Sequence, residues 1–362
     1  MKTTHQTNHH PLVFGADQVS LLEKLSNASS VSGDESEVRK IVLDNIKGFA
    51  DEVQVDALGN VLAVCKAKTA DPLRLMVAAH MDEVGFMLVE TDEDDYFHFV
   101  TIGGIDPRQS AGKPVRIGNG HLKGVIGAKP IHLTTADERS TALKVDNMRI
   151  DIGLGAAGKA KPGDRAVFAT QFSQVGPSLR GKALDDRLGV SILINLVQHA
   201  PENIELLAAF TVQEEIGGRG AKVGAYAFNP DAAFVIDSTP ANDLPVWDES
   251  ENSHYNTRLG CGPSIYVADN LTLSDPRLIK HLKATAEKEG IPYQLRQPGG
   301  GGTDAGAIHR QRSGIPSVSV SVPGRYLHTS AGLCRFSDWQ NTYSLLYTAL
   351  NSMDRQILSK DR

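Results

Sequence analysis

Residues Glu205–Gly220 read ELLAAFTVQEEIGGRG, an apolar run that ends in two adjacent carboxylates, Glu214 and Glu215, and a Gly-Gly turn. Leu207, Phe210 and Val212 favour a buried strand. Such a strand delivers charged side chains to a sheet edge, where open α/β folds place their chemistry. Successive strand residues face opposite sides, so neighbouring glutamates can do two jobs, one gripping a cation and one handling a proton. Four more stretches end in candidate ligands. These are AAHMDEVG with His80 and Asp82, KALDDRLG with Asp185 and Asp186, FVIDST with Asp237, and YLHTSAG with His328. Any one alone is the ordinary solvated end of a strand. Together they offer two imidazoles and several carboxylates, the donor set of a borderline divalent cation such as zinc, cobalt or manganese. A two-metal hydrolase needs few protein groups per ion and a carboxylate spanning both. Spacing alone does not say which member of Asp185-Asp186 or of Glu214-Glu215 takes which role.

The elements that must position these groups follow the chain. Helical spacing predicts a first helix over Asp17–Ser26. A second starts at Ser32, where Ser32 and Glu35 make a capping box. A hairpin turns around Leu58-Gly59-Asn60, and LRLMVAAH is a core strand that stops at His80. From about Glu90 to Val175 short β-like runs are broken by Gly, Pro and Asn, the texture of a small inserted β-barrel. The acidic run Asp92–Asp95 within it reads as a solvated loop. Strands and helices alternate again from GKALDDRLG. Asp275 and Pro276 open one helix, and the last begins near Ser337. This predicts an α/β fold, a mixed sheet with helices on both faces. A catalytic domain covers residues 1–89 and 176–362, and an inserted β-barrel covers 90–175. The run Gly299–Gly302 lacks the Gly-Lys-Ser/Thr of a phosphate loop and predicts a flexible pocket loop, with Gly302, Thr303 and Asp304 near substrate. His309 reads as a helix-surface histidine, and Arg187 as a charge partner that positions the Asp pair.

Composition excludes other classes. The 362 residues are 41% hydrophobic and 22% charged, enough to bury a two-domain core. A net charge of −6 argues against nucleic acid as the main partner, because phosphate binding needs a basic face. No apolar run spans a bilayer, and the N-terminal residues MKTTHQTNHHPLVF lack a signal-peptide core, which points to the cytoplasm. Cys65, Cys261 and Cys334 make no metal-spacing motif and no disulfide framework. The first eleven residues read as a polar tail.

AAHMDEVGFM, IGGIDPRQSAGKPV, GKALDDR, TVQEEIGGRGA, VIDST, GGTDAGAIH and YLHTSAG resemble the co-catalytic metallo-aminopeptidases that assemble into tetrahedral dodecamers, some of them labelled endoglucanases. The resemblance spans nearly the whole chain in order. It implies a zinc-peptidase-like core, an inserted domain for subunit contacts, two divalent ions per subunit, short peptides as substrates and a homododecamer. Carried residue by residue, it implies that Asp185 bridges the ions. His80 and Asp237 complete one site, and Glu215 and His328 the other. Glu214 is implied as general base and acid, and Asp82 as acceptor of the second N–H of His80. A cis peptide between Asp185 and Asp186 is implied as well. Gly218 departs from the family pattern, where a larger apolar residue is usual. The rival readings are a metal-dependent deacylase or carboxypeptidase, with Arg325 to anchor a carboxylate, a metal-free glycosidase, and a non-enzymatic assembly protein on the same fold.

Overall fold

The computed structural model describes residues 11–92, 96–156, 158–244 and 257–359. The polar tail, apart from Pro11, and residues 93–95 of the acidic run lie outside the described residues.

Four parallel strands form the middle of the large mixed sheet, in the order Ile204–Thr211, Leu73–His80, Ala232–Pro240 and Ser317–Arg325. Their side chains alternate between two cores. Leu75, Val77 and Ala79 join Leu206, Ala208 and Phe210 on one face, while Met76 and Ala78 join Leu207 and Ala209 on the other. Because both faces are covered, each strand reads as a near-continuous apolar run rather than an alternating one. The first face packs under helices Ala16–Asn27, Ser36–Ile46, Leu184–Gln198, Pro276–Glu289 and Phe336–Asn351. The second packs under Arg219–Phe228 and the short Ala305–Ile308. The four strands share one direction, so all their C-terminal ends lie on one edge of the sheet. Antiparallel strands extend it on both sides, from the Glu52–Val55 and Val61–Cys65 hairpin to Gly332–Arg335, Ser178–Gly181 and Ser173–Val175.

Between the His80 strand and Ser173, the chain forms a closed six-stranded antiparallel barrel. In barrel order its strands are Gly85–Thr91, Tyr96–Ile102, Met148–Asp151, Leu122–Ala128, Pro114–Ile117 and Arg165–Phe168. Closure leaves no unpaired edge. Phe86 meets Phe99 and Phe168 edge-on in the barrel core, at 5.3 and 5.2 Å between ring centroids. The barrel strands therefore begin at Gly85, ahead of the change in texture at Glu90. GFMLVE is apolar enough to serve either core, and only its pairing decides.

The second helix starts at Ser36, not Ser32. Ser32 Oγ instead donates to Asp82 Oδ2 at 2.6 Å, while Glu35 accepts from the Gly33 amide at 2.6 Å. A tertiary partner has taken the hydroxyl that a local cap would use. No helix among the described residues is long and apolar enough to cross a membrane.

Candidate metal centre

The parallel strands bring His80, Glu214, Glu215, Asp237 and His328 to the same edge. Asp185 arrives from the first turn of helix Leu184–Gln198. Asp185 offers one oxygen to each imidazole. Its Oδ1 lies 3.2 Å from His80 Nε2, and its Oδ2 lies 3.4 Å from His328 Nε2. Asp237 Oδ1 is 3.7 Å from His80 Nε2, and Glu215 Oε2 is 3.3 Å from His328 Nε2. Ligand atoms of Asp185, Glu215 and His328 fall within 4.8 Å of one another, as do those of His80, Asp186 and Asp237. The peptide between Asp185 and Asp186 is cis. Ala183, Gln213, Tyr326 and His328, all beside the cluster, have φ between 52° and 61°. Non-glycine residues in that region are strained and gather at functional sites.

Both imidazoles present Nε2 to the cluster because Nδ1 is engaged elsewhere. His328 Nδ1 donates to the Gly104 carbonyl at 3.0 Å, a contact supplied by the barrel. His80 Nδ1 donates to the backbone carbonyl of Asp82 at 3.1 Å, with the Asp82 carboxylate farther away at 3.5 Å. That carboxylate has another task. It accepts the backbone amides of Glu214 at 2.9 Å and Glu215 at 3.2 Å, in addition to Ser32 Oγ. Asp82 thus holds the Glu-Glu turn in place.

The cluster concentrates negative charge. Burial, reinforced by neighbouring carboxylates, pushes Glu215 up to about 8 and Asp237 up to about 6, and raises Glu214 and Asp186 well above the carboxylate range. Burial would depress His328, but Asp185 and Glu215 prevail and hold it at about 10. His80 is raised as well, against its own burial, by Asp185, Asp237 and Asp82. Asp185 is lowered, because the two imidazoles outweigh its burial. Protons are being held where positive charge is wanted. Asp186 Oδ2 is buried without a hydrogen-bond partner. An all-oxygen-and-nitrogen donor set of this kind fits borderline divalent cations.

A second buried network, not read from the sequence, ties the segments together. Glu83 receives Lys182 Nζ at 2.7 Å and Arg187 Nη2 at 2.9 Å. Lys182 also donates to the Ala28 carbonyl at 2.6 Å, and Arg187 to the carbonyls of Leu25, Met81 and Asp82. Lys182 and Arg187 flank the Asp pair in sequence, and both grip the loop after His80. The contacts of Arg187 are therefore with that loop rather than with Asp185 and Asp186. Asp82 and Glu83 in HMDE, and Lys182 in GKALDDR, were the available signals.

The chain matches the M42 glutamyl aminopeptidase family over residues 59–345. The protein belongs to that family. Like the M42 enzymes it is a peptide hydrolase. It is 31% identical to the lysyl aminopeptidase of Pyrococcus furiosus over 345 residues, covering 92% of this chain and 96% of that one. Among solved structures, a TET aminopeptidase from a marine-sediment Thaumarchaeota archaeon superposes with a TM-score of 0.89 at 33% identity, covering 95% of this chain and 99% of the other. The TET1 peptidase of Pyrococcus horikoshii, described as assembling into a tetrahedron or a large octahedral shell, gives 0.82 at 31% identity over 93% of this chain and 100% of that one.

In this M42 peptidase a cavity of about 520 Å³ opens onto the cluster, with Glu214, Asp237 and His328 in its wall. Gly302 and Thr303 line it. Asp304 does not. It is buried, with Oδ2 accepting from Thr211 Oγ1 at 2.5 Å. His309 sits at the end of the short helix, its Nδ1 bonded to the Ala305 carbonyl at 2.8 Å. Arg325, the residue a carboxypeptidase would need, is paired with Asp243 at 2.7 Å.

Proposed function

We propose that the protein is a dinuclear-metal aminopeptidase that removes N-terminal residues from short peptides. The observation that carries this reading is Asp185, whose two oxygens face two imidazoles, each with its own partner carboxylate. In this reading His80 and Asp237 hold one cation, Glu215 and His328 the other, and Asp185 both. Zinc is the first candidate, with cobalt or manganese as alternatives. When bound, such a pair supplies Lewis acidity toward a carbonyl and makes water more acidic at neutral pH.

The chain's own residues do the rest. Glu214 lines the cavity beside the cluster and is the carboxylate there not assigned to a cation, which leaves it for proton transfer. It takes a proton from the attacking water and returns it to the leaving amine nitrogen as the C–N bond breaks. The surrounding carboxylates suit the α-ammonium of a peptide N-terminus. The Asp82 carboxylate fixes the Glu214 backbone and so the position of its proton-carrying oxygens.

The barrel is proposed to carry subunit contacts toward a homododecamer, as TET relatives assemble. A cytoplasmic setting accords with three free cysteines, of which Cys65 and Cys334 are buried.

The test combines metal analysis with kinetics. Wild-type protein should hold two divalent ions per chain and lose aminoacyl-anilide hydrolysis on chelation. Glu214→Gln should keep its metal while kcat falls by about 10² or more. One ion per chain, or an unchanged kcat in E214Q, would overturn the assignment.

A further inference from the structure

The turn that carries Glu214 and Glu215 leaves the sheet at Val212 and joins helix Arg219–Phe228 by Gly220. Its two ends close on each other, the Gly220 amide donating to the Val212 carbonyl at 3.0 Å. Between them the backbone is bent hard, with φ of 57° at Gln213, 115° at Gly217 and 61° at Gly218. Asp82 holds the tip of this turn through the amides of Glu214 and Glu215. A single side chain, Asn60, bridges its base.

Asn60 is fully buried. Its Oδ1 accepts the Val212 amide at 2.9 Å, and its Nδ2 donates to the Gly220 carbonyl at 3.0 Å. Nδ2 also donates to Asp56 Oδ2 at 2.6 Å. That contact decides which way the carboxamide faces, because a reversed amide would set N–H against N–H at Val212 and oxygen against two acceptors. Asp56 is fixed by its own turn, where Oδ1 accepts the amides of Leu58 at 2.9 Å, Gly59 at 2.9 Å and Asn60 at 3.0 Å. The hairpin around Leu58-Gly59-Asn60 therefore ends in an oriented carboxamide. The ladder explains its address. Val61 pairs with Phe210, so the residue before Val61 falls beside the point where the neighbouring strand leaves the sheet. Asn60 is not part of the cavity wall and acts on the chemistry only through the turn.

We infer that Asn60 is a positioning residue for Glu214, its carboxamide fixing the separation of Val212 and Gly220 and so the stance of the Glu214 carboxylate toward substrate. The inference rests on the reading of Glu214 as the proton carrier. A turn pinned at its tip and at its base cannot tilt about either point. Misplacing a reacting group by about 1 Å costs about 10²-fold in rate.

A double-mutant cycle of N60A with E214Q tests this, read as kcat per metal-loaded chain on aminoacyl 4-nitroanilides. N60A should lower kcat about 10- to 100-fold while KM stays within about three-fold. In the E214Q background the same change should lower the residual kcat by less than about two-fold, because no proton carrier is left to place. An effect through Glu215 and its cation, or through stability alone, would not vanish in that way. D56A keeps Asn60 but removes the acceptor that orients its amide, in a partly exposed turn, and should lower kcat by about 3- to 10-fold. The inference is overturned when N60A keeps kcat within about two-fold of wild type, or when it loses the same factor in both backgrounds. Should N60A fail to load metal, D56A takes its place in the cycle, and a wild-type kcat in D56A overturns the inference. Wild-type protein that hydrolyses no anilide would sink the aminopeptidase reading itself. An active wild type, a crippled E214Q and an unimpaired N60A would sink this inference alone.

Discussion

Replacing Arg187 with methionine should cost about 3–5 kcal/mol of folding stability, the range for breaking a buried ion pair from one side. Arg187 is fully buried and donates to three carbonyls, those of Leu25, Met81 and Asp82, and to the Glu83 carboxylate. Methionine fills most of the volume and satisfies none of these acceptors. Glu83 keeps Lys182, the Met81 carbonyl keeps Ser30 Oγ and the Asp82 carbonyl keeps His80 Nδ1, which is why the loss stays within that range instead of growing by about 1–3 kcal/mol for every carbonyl. Two controls sharpen the reasoning. Lys182→Met leaves the Glu83–Arg187 pair intact and should cost less. Glu83→Gln leaves two buried cations, but burial already pushes Lys182 down to about 8 despite Glu83. Without Glu83 that value falls further, so the E83Q variant sheds the proton below pH 8, and its deficit should shrink as pH is raised toward 8 and then level off. The assay is urea unfolding of the metal-free proteins followed by tryptophan fluorescence, reporting on buried Trp339, with the midpoint shift read at constant m-value. Divalent-cation affinity of R187M should also drop about 10- to 100-fold, because its contacts hold the segment that follows His80. A loss below about 1 kcal/mol with unchanged metal affinity would refute the claim that this network sets the loop.

Glu35 is raised to about 7, mainly by burial, from an ordinary value of 4.5. The folded state therefore binds more protons between those values, and this group's contribution falls as pH rises through that window. Glu35→Gln should gain stability relative to wild type from pH 5 to pH 8, by up to about 3 kcal/mol, and a flat difference between the two urea midpoints would refute this. Asp82→Asn would turn an amide N–H₂ toward one of the donors it now accepts. A fall in kcat/KM of about 10- to 100-fold is expected with an unchanged circular dichroism spectrum, and unaltered kinetics would argue against its hold on Glu214. A Cβ on Gly220 would lie 2.3 Å from Asn60 Oδ1 and 2.4 Å from the Val212 carbonyl. Gly220→Ala should therefore lose about 3 kcal/mol or more in a thermal or urea melt, and a melt like that of wild type would show that the Val212 backbone can yield.

The strand ends were legible because a strand buried on both faces leaves an unmistakable apolar run, and an acid or histidine that stops it stands out. His80, Glu214, Glu215, Asp237 and His328 were all found this way, and the doubled aspartate marked Asp185. What the sequence hid depends on partners distant along the chain. Ser32 and Glu35 have the spacing of a local cap, yet the hydroxyl is drawn to Asp82. Asp82 was read as the acceptor for His80; its backbone carbonyl lies 3.1 Å from that ring nitrogen and its carboxylate 3.5 Å, and what the sequence hid is that the carboxylate also serves the Glu-Glu turn. Lys182, Glu83 and Arg187 come from three segments, so no window contains their network. Asp304 belongs to a glycine-rich stretch that looks like a pocket lip, but it turns inward to Thr211.

The six-stranded insertion is threaded into the working parts and cannot be treated as a detachable cassette. Its first strand begins at Gly85, directly after the loop that Arg187 grips, and its Gly104 carbonyl supplies the acceptor that orients His328. A Cβ on Gly103 would lie 3.3 Å from that of Glu215. Excising the insertion with a short splice would leave the sheet intact but one imidazole free to spin. Any shift of the insertion relative to the sheet would move that carbonyl, and with it the orientation of His328.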